Sequence, residues 1–328
     1  MLKYTSPFEL GATLYMPVLK KDALEYIAGH KLPELRSMVL CLEDALLETD
    51  VLVGLDTLEK TLLKIGQVKA DAKAEDKDRR FPLVFVRPRN LDMAKRISEM
   101  AGIHNIDGFV APKVRPGDHE KWVNAVRETD LYLMPTLETT EVFDVAAMTA
   151  LRDEFLSNAP DRVLALRVGG NDLMSCLGLR RVGRTTLYEG PLFYTISMLM
   201  SVMKSKGFNL TAPVFEIIDD NDQKSLLDEV TRDVNFGFVG KTIIHPSQID
   251  IVQNAFRVSD GDFEAAKRIL DVDAPAVFKF GGSMCEPATH RTWAQRIMSR
   301  ADIYGVIQGE ASASESGIVG TVPPRALD

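Results

Sequence analysis

Eight short apolar runs, separated by segments with helical spacing, constrain the fold of this chain more than any other feature. They read ATLYMP, SMVLCLED, PLVFVRPRN, DGFVAPK, LYLMPTLE, RVLALRVGGND, APVFEIIDD and GKTIIHP. Strands that alternate with helices predict a parallel sheet, and eight strands are the number that closes a barrel. An open doubly wound sheet should carry a glycine-rich phosphate loop after its first strand, and none occurs there. The pattern therefore predicts an α/β fold, a TIM (β/α)8 barrel.

The pattern changes after HPSQI, where two helix-like segments, DGDFEAAKRILDV and EPATHRTWAQRIMSRADIYG, precede a small and polar tail. We predict a barrel domain over residues 1–257 and a C-terminal helical extension over residues 258–307 that packs on its own or a neighbouring subunit. Residues 308–328 are predicted to be a flexible tail. Within the barrel, the charged residues 69–80 are predicted to form a solvated loop, and LFYTISMLMSVM a buried helix.

Charge and composition narrow the possible partners. A net charge of -8 and an acidic isoelectric point near 5.3 argue against nucleic acid or an anionic membrane, because both attract a basic surface. The three cysteines lie far apart without metal-binding spacing, which is typical of a reducing compartment. No apolar run is long enough to span a bilayer. We expect a cytoplasmic protein that binds small molecules and other protein chains.

Polar residues close most of the apolar runs, where barrel enzymes carry their chemistry. In chain order these residues are Glu43 and Asp44, Arg87, Lys113, Glu138, Asp172, Glu216 and His245.

Glu138 and Asp172 follow the fifth and sixth predicted strands, which are neighbours in a barrel. Two carboxylates could therefore converge on one Mg²⁺, with water and substrate oxygens completing the octahedron. Gly169 and Gly170 would leave room for a ligand beside Asp172. The alternative is that each carboxylate caps the following helix or accepts a hydrogen bond from a loop.

Three basic residues are candidates for substrate binding. Arg87 could hold a substrate carboxylate with its planar guanidinium, or form an ion pair with Glu43 or Asp44, and both interpretations could hold together. Lys113 could contact substrate or complete an ion pair. His245 could bind substrate, or be a buried histidine with satisfied hydrogen bonds.

The order of the motifs LYMP, LCLEDAL, VFVRPRN, GFVAPK, MPTLET, GGNDL and GFVGKTIIHPSQI resembles the HpcH/HpaI aldolase and citrate lyase beta-subunit family. The phrases GATLYMP, RVGGNDLMSCLGLRR, APVFE and EPATHRTWA are similar to a bacterial subgroup of TIM-barrel carbon–carbon bond lyases, often encoded beside tellurite-resistance genes. The resemblance implies a Mg²⁺-dependent lyase that acts on a small carboxylate or an acyl thioester. It further implies metal ligation by Glu138 and Asp172, substrate binding by Arg87, and a homo-oligomer, trimeric or hexameric.

The same resemblance suggests a role for Glu286. In the wider family the matching segment reads GxMID, and its aspartate, matched here by Glu286, acts as an acid or base in a neighbouring subunit. The alternative is an ordinary acidic residue at the start of a helix. We assign catalysis to Arg87, Glu286, Glu43 and Asp44, and substrate binding to Arg87, Lys113, Gly169, Gly170 and His245.

Two departures from the family pattern concern coenzyme A. Members that use it typically read RSxLYVPG in the first strand, where this chain reads GATLYMPV, and the aspartate of their LDLEDA motif is replaced by Cys41. These changes weaken the case for a thioester substrate more than the case for a metal site. Alternative interpretations are a malate synthase-like or thioesterase-like enzyme on the same barrel, and a non-catalytic barrel that binds a metabolite in a protein complex.

Overall fold

The structure, a computed structural model, describes residue 2 and residues 5–183, 185–218 and 223–307. The chain divides into two compact units, Met1–Phe256 and Arg257–Asp328. The tail predicted over residues 308–328 lies outside the described residues.

The first unit contains a single eight-stranded parallel sheet. Its strands are β1 Gly11–Pro17, β2 Ser37–Cys41, β3 Leu83–Arg87, β4 Gly108–Ala111, β5 Tyr132–Leu137, β6 Leu166–Val168, β7 Leu210–Thr211 and β8 Gly240–Ile243. They pair in the order β7-β6-β5-β4-β3-β2-β1-β8. Backbone hydrogen bonds from Val239 N to Leu210 O (2.9 Å) and from Ala212 N to Gly240 O (2.7 Å) join the two ends of this order. The predicted TIM barrel is confirmed.

Helices connect the strands on the outside of the barrel. They are α1 Ala23–Ile27, α2 Val51–Glu75, α3 Leu91–Ser98, α4 His119–Ala125, α5 Val145–Ser157, α6 Gly170–Cys176, α7 Leu192–Leu199, α8 Gln223–Phe236 and α9 Ile249–Ala255. The strands are buried almost throughout, as parallel strands covered on both faces must be. Helix α7 continues as a π-helical turn, Met200–Lys204, which together with α7 confirms the helix expected there. It is buried on one face, whereas Phe193 and Tyr194 are exposed.

Two local predictions are wrong. Residues 69–75, expected in a solvated loop, extend α2 to Glu75, because alanine, lysine and glutamate are strong helix formers and Ala72 is buried. The seventh strand was expected in APVFEIIDD, but β7 is Leu210–Thr211, and the pairing ends with a bridge at Ala212. Pro213 has no N–H to continue the ladder.

The second unit consists mainly of two helices, α10 Asp260–Leu270 and α11 Pro287–Tyr304. Between them lies a hairpin of β10 Phe278–Phe280 and β11 Ser283–Cys285, and a short parallel pair joins β9 Val258–Ser259 to β12 Val306–Ile307. Apolar side chains of both helices form its core. This confirms the helical C-terminal extension. No helix among the described residues is long and apolar enough to cross a membrane.

Candidate active site

A cavity of about 190 Å³ opens at the carboxyl ends of the barrel strands. It is lined by Tyr15, Asp44, Arg87, Thr136, Glu138, Arg167, Val168, Gly169, Gly170, Asn171, Asp172, Val214, Thr242 and Ile244. Six of the predicted site residues are therefore brought together: Asp44, Arg87, Glu138, Gly169, Gly170 and Asp172.

Glu138 follows the last residue of β5 and is only 3% exposed. Its Oε1 accepts two hydrogen bonds, from Arg87 Nη2 and from the backbone N–H of Lys113, both at 2.9 Å. Burial raises the pKa of Glu138 to about 7; the Arg87 guanidinium opposes this shift and the Asp172 carboxylate adds to it. Because both of these hydrogen bonds are accepted by Oε1, the second oxygen can serve a ligand.

Arg87, at the end of β3, is held between acidic residues. Its Nη2 lies 2.6 Å from Glu43 Oε2, in an ion pair without hydrogen-bond geometry, and 3.8 Å from Asp44 Oδ2. The ion-pair alternative for Arg87 is thus observed. Its buried Nε has no hydrogen-bond partner among the described residues, so a donor remains for a substrate oxygen.

Lys113 also joins this arrangement, although it does not line the cavity. Its Nζ lies 2.6 Å from Glu43 Oε1, which matches the ion-pair alternative. Lys113 adopts φ 51°, in the left-handed region, which costs a non-glycine residue about 1–3 kcal/mol. In this conformation its N–H reaches Glu138 and its ammonium reaches Glu43, so the strained residue positions two carboxylates.

Asp172 lies in the first turn of α6 rather than at the end of β6. It is half-buried and makes no hydrogen bond or ion pair with any described residue. The N-cap of α6 is Gly169, and the turn after Glu138 is capped at Thr139, so neither carboxylate has the capping role considered above. The other alternative, a hydrogen bond from a loop, is observed for Glu138, which accepts from the backbone of Lys113 after β4. The negative charge of Asp172 at the helix N-terminus is favourable, and its oxygens remain available to a ligand.

Gly169 makes the approach of these carboxylates possible. A Cβ atom at this position would lie 2.4 Å from both Cβ and Oε2 of Glu138. Any side chain here would displace Glu138, so the glycine is required by the position of that carboxylate.

The donor set fits a magnesium ion. Glu138 and Asp172 line one cavity, and each has carboxylate oxygen that no described residue occupies. Among the described residues, no group of three or more His, Cys, Asp or Glu is arranged to hold a metal. Mg²⁺ typically uses one or two protein carboxylates and takes its other ligands from water and substrate, so a pair is sufficient.

Besides Glu43 and Lys113, two further predicted residues of the barrel unit lie apart from the cavity lining. His245 is exposed, so the expectation of a buried histidine is wrong; it caps the turn Pro246–Gln248, with its Nδ1 2.8 Å from Ser247 Oγ. Glu216 lies in an irregular segment, because β7 ends earlier than expected, and its Oε1 is 3.6 Å from Arg180 Nε.

Glu286 belongs to the second unit, where it directly precedes α11. Its backbone N–H donates to His290 Nδ1 at 3.2 Å, and its Oε2 accepts from Thr289 Oγ1 at 3.0 Å. Its assignment as an acid or base stays a prediction.

The sequence prediction missed Arg167, which lies in β6 and is 2% exposed. Burial lowers the pKa of Arg167, and Tyr15, whose ring centroid is 5.1 Å from Cζ, opposes that shift. A charged residue inside the apolar run VLALRVGG was the available signal, because a buried guanidinium needs partners.

Comparison with known proteins agrees with this architecture. Residues 4–306 match the family model described as C-C bond lyase of the TIM-barrel fold. A (3S)-malyl-CoA thioesterase of Cereibacter sphaeroides is 26% identical over 270 residues, which cover 82% of this chain and 84% of that protein. The citrate lyase beta subunit of Escherichia coli is 24% identical over 158 residues, 46% of this chain and 50% of that subunit.

The fold is shared with the CitE protein of Mycobacterium tuberculosis, whose crystal structure contains magnesium, acetoacetate and coenzyme A. The two structures superpose with a TM-score of 0.61 at 22% identity, covering 89% of this chain and 98% of that chain. At this identity the similarity establishes the fold. The match over residues 4–306 establishes the family: the chain belongs to the C-C bond lyases of the TIM-barrel fold.

Proposed function

We propose that the cavity is the active site of a Mg²⁺-dependent lyase that cleaves a carbon–carbon bond of a small carboxylate or acyl thioester through an enolate. The observation that carries the proposal is the pair Glu138 and Asp172, two carboxylates on one cavity with oxygens that no described residue occupies. The magnesium-bound structure of the CitE protein supports the choice of metal.

In such a cleavage the substrate hydroxyl loses a proton and becomes a carbonyl. The electrons of the breaking carbon–carbon bond pass to the other fragment as an enolate, which is then protonated on carbon. Mg²⁺ held by Glu138 and Asp172 would supply a Lewis acid for the carboxylate or carbonyl oxygens of the substrate.

Side chains of this protein would orient the substrate and transfer its proton. Arg87, fixed by Glu43 and Glu138, presents its unpartnered Nε to a substrate carboxylate. Lys113 keeps Glu43 in place. Glu286, from the same or a neighbouring subunit, would accept the hydroxyl proton as a base and return it to the enolate as an acid, since such groups contribute about 10²–10⁴-fold. The proposal includes a homo-oligomer, trimeric or hexameric, that works in the cytoplasm.

A thermal-shift screen tests this function before the substrate is known. We expect 2-oxo acids, or acyl thioesters, to raise the unfolding temperature more with Mg²⁺ than without it, because a ligand that binds only the folded state stabilises it. The stabilising compounds then serve as leads for a cleavage assay by mass spectrometry. Failure of all of them to stabilise the protein in the presence of Mg²⁺ would contradict the proposal.

Hydrolysis of a thioester is a second candidate, favoured by the similarity to a malyl-CoA thioesterase over 82% of this chain. The two reactions differ in their products. Release of free coenzyme A without a carbonyl fragment would select the thioesterase, whereas a 2-oxo acid or aldehyde would select the lyase. A chain that binds ligand and forms neither set of products would be a non-catalytic binding protein.

A further inference from the structure

Arg167 is a buried cation that the proposed mechanism does not use. It stands in the middle of β6, is 2% exposed, and is among the residues that line the cavity. Its Nη2 donates to Thr242 Oγ1 at 2.5 Å, and its Nη1 lies 3.9 Å from Met134 Sδ, a weak acceptor. The Tyr15 ring also lies beside the guanidinium, with its centroid 5.1 Å from Cζ. A guanidinium carries more N–H donors than these three contacts use.

No carboxylate of the described residues forms an ion pair with Arg167. This separates it from Arg87, which lies within 4 Å of Glu43, Asp44 and Glu138. A buried charge without a partner of opposite sign is costly, and its pairing with an anion is correspondingly strong. The cavity therefore contains one neutralised arginine and one that lacks a counter-ion.

Two threonines beside Arg167 also lack partners. Thr136 on β5 and Thr211 on β7 are its register neighbours on either side. Their hydroxyl oxygens are buried and have no hydrogen-bond partner among the described residues. Thr136 lines the cavity as well, so a ligand that reaches Arg167 there can also bond to this hydroxyl.

We propose that Arg167 and Thr136 form an anion subsite that receives a second carboxylate of the substrate, so that the preferred substrates or products are dicarboxylates. The inference rests on the proposed function, because it adds a subsite to the same cavity. Arg87 would orient one carboxylate of the substrate, while Arg167 selects molecules with another. Hydrogen bonds to charged groups are among the stronger ones, which corresponds to a preference of about 10- to 100-fold for the dicarboxylate.

Oxaloacetate and pyruvate are matched probes, since both are 2-oxo acids and they differ by one carboxylate. Their affinities are measured by calorimetry with Mg²⁺ present, using freshly dissolved oxaloacetate, for the full chain and for Arg167→Met and Arg167→Lys. Arg180→Met is the control, because Arg180 has a side chain 90% exposed and its loss removes the same charge. Unfolding temperatures without ligand establish that each variant is folded.

We expect the wild-type protein and Arg180→Met to bind oxaloacetate at least tenfold more tightly than pyruvate. Arg167→Met should reduce the ratio to near one by weakening oxaloacetate alone, with an intermediate ratio for Arg167→Lys. Equal wild-type affinities for the two acids would overturn the subsite while leaving the lyase proposal intact, and this comparison needs no variant. An unchanged ratio in folded Arg167→Met would also overturn it, whereas binding of neither acid by the wild type would count against the subsite and the proposed function together.

Discussion

Two buried ionic clusters in the barrel unit look similar in composition and differ in what they leave unpaired. The first, the cavity cluster, consists of Glu43, Arg87, Lys113 and Glu138. The second, which we call the wall cluster, consists of Arg181, Glu229, Asp233 and Lys241. Both contain two acids and two bases, and their four acids are buried.

In the wall cluster every carboxylate oxygen accepts a hydrogen bond. Lys241 Nζ donates to Glu229 Oε1 (2.8 Å) and to Asp233 Oδ2 (2.9 Å), and Arg181 Nη1 lies 2.6 Å from Glu229 Oε2. The hydroxyl of Tyr188 donates to the remaining oxygen, Asp233 Oδ1, at 2.5 Å. Among the described residues, no acceptor is left for a ligand there, and the unpartnered donor of the cluster, Arg181 Nε, belongs to a residue that does not line the cavity. The cluster therefore joins β8, α8 and the segment after α6 as a structural element.

The cavity cluster leaves polar atoms free beside a space that a small molecule can enter. Arg87 Nε has no partner among the described residues, and Asp172, beside the cluster, has none either. Buried charge alone therefore does not identify an active site. Unpaired donors and acceptors that face a cavity do, because they need a ligand to be satisfied.

Lys241→Met should give the largest effect and should act on stability. It leaves Glu229 and Asp233 buried without their shared cation, and breaking a buried ion pair from one side costs about 3–5 kcal/mol. Denaturant unfolding measures the loss. Lys224→Met on α8, which removes an exposed ammonium, is the control and should change stability little. A decrease of less than 1 kcal/mol in the unfolding free energy of Lys241→Met would contradict the structural role of the wall cluster.

Glu286→Gln should lower turnover by about 10² while leaving the unfolding free energy and Mg²⁺ affinity unchanged, because it removes an acid that belongs to neither cluster. Steady-state kinetics on a substrate from the screen measures the effect. Mixed oligomers of Glu286→Gln and Asp172→Ala subunits then test whether the acid acts across an interface. Partial recovery of activity indicates that it does, and its absence in verified mixed oligomers assigns Glu286 to its own subunit or to a structural role.

Arg87→Lys should reduce turnover about tenfold or more, although the charge is kept, because an ammonium lacks the planar fork and the Nε donor of arginine. The unfolding free energy should fall less than in Lys241→Met, since a cation remains near Glu43 and Glu138. Arg180→Lys, an exposed substitution of the same kind, provides the baseline. Near-normal turnover would reduce Arg87 to a structural ion-pair partner.

Asp233 should give an effect that is visible as a pH dependence of stability. Burial raises the pKa of Asp233 to about 6, against the attraction of Lys241, whereas an unfolded aspartate has a pKa of about 3.9. Between these values the folded state holds a proton that the unfolded state has lost, so this group lowers stability as pH rises from about 4 to about 6. Relative to Asp233→Asn, the wild type should lose stability across this window and remain level above it. A difference that is constant from pH 4 to 7 would contradict the assigned shift.

Much of the barrel is predictable from sequence because apolar runs alternate with helical spacing. Six of the eight expected strands lie within their motifs, and β1 begins one residue before its motif, at Gly11. The seventh strand fails at Pro213, which cannot donate to the ladder, although the residues after it are apolar enough to look like a strand. Burial of Ala72 and good helix formers likewise override the charge of residues 69–75.

The candidate site is partly predictable because some of its residues lie where the apolar runs end. Arg87 and Glu138 close or directly follow strands, so position alone indicates them, and Asp172 was predicted in the same way from the end of its apolar run, although it lies in the first turn of α6. Arg167 and Lys241 are different, because each is a charge inside an apolar strand whose partners come from distant parts of the chain. Which of the two faces a cavity depends on tertiary packing, and no local pattern contains that information.

Metal binding by Glu138 and Asp172 is the central claim, and titration with Mn²⁺, followed by electron paramagnetic resonance, tests it without any substrate. The variants are Asp172→Ala and the control Asp250→Ala, whose carboxylate also lies in the first turn of a helix, is exposed, and has no partner among the described residues. We predict that the wild type and Asp250→Ala bind one ion per chain with equal affinity, competed by Mg²⁺, and that Asp172→Ala binds at least tenfold more weakly. Equal binding by folded Asp172→Ala would contradict the account.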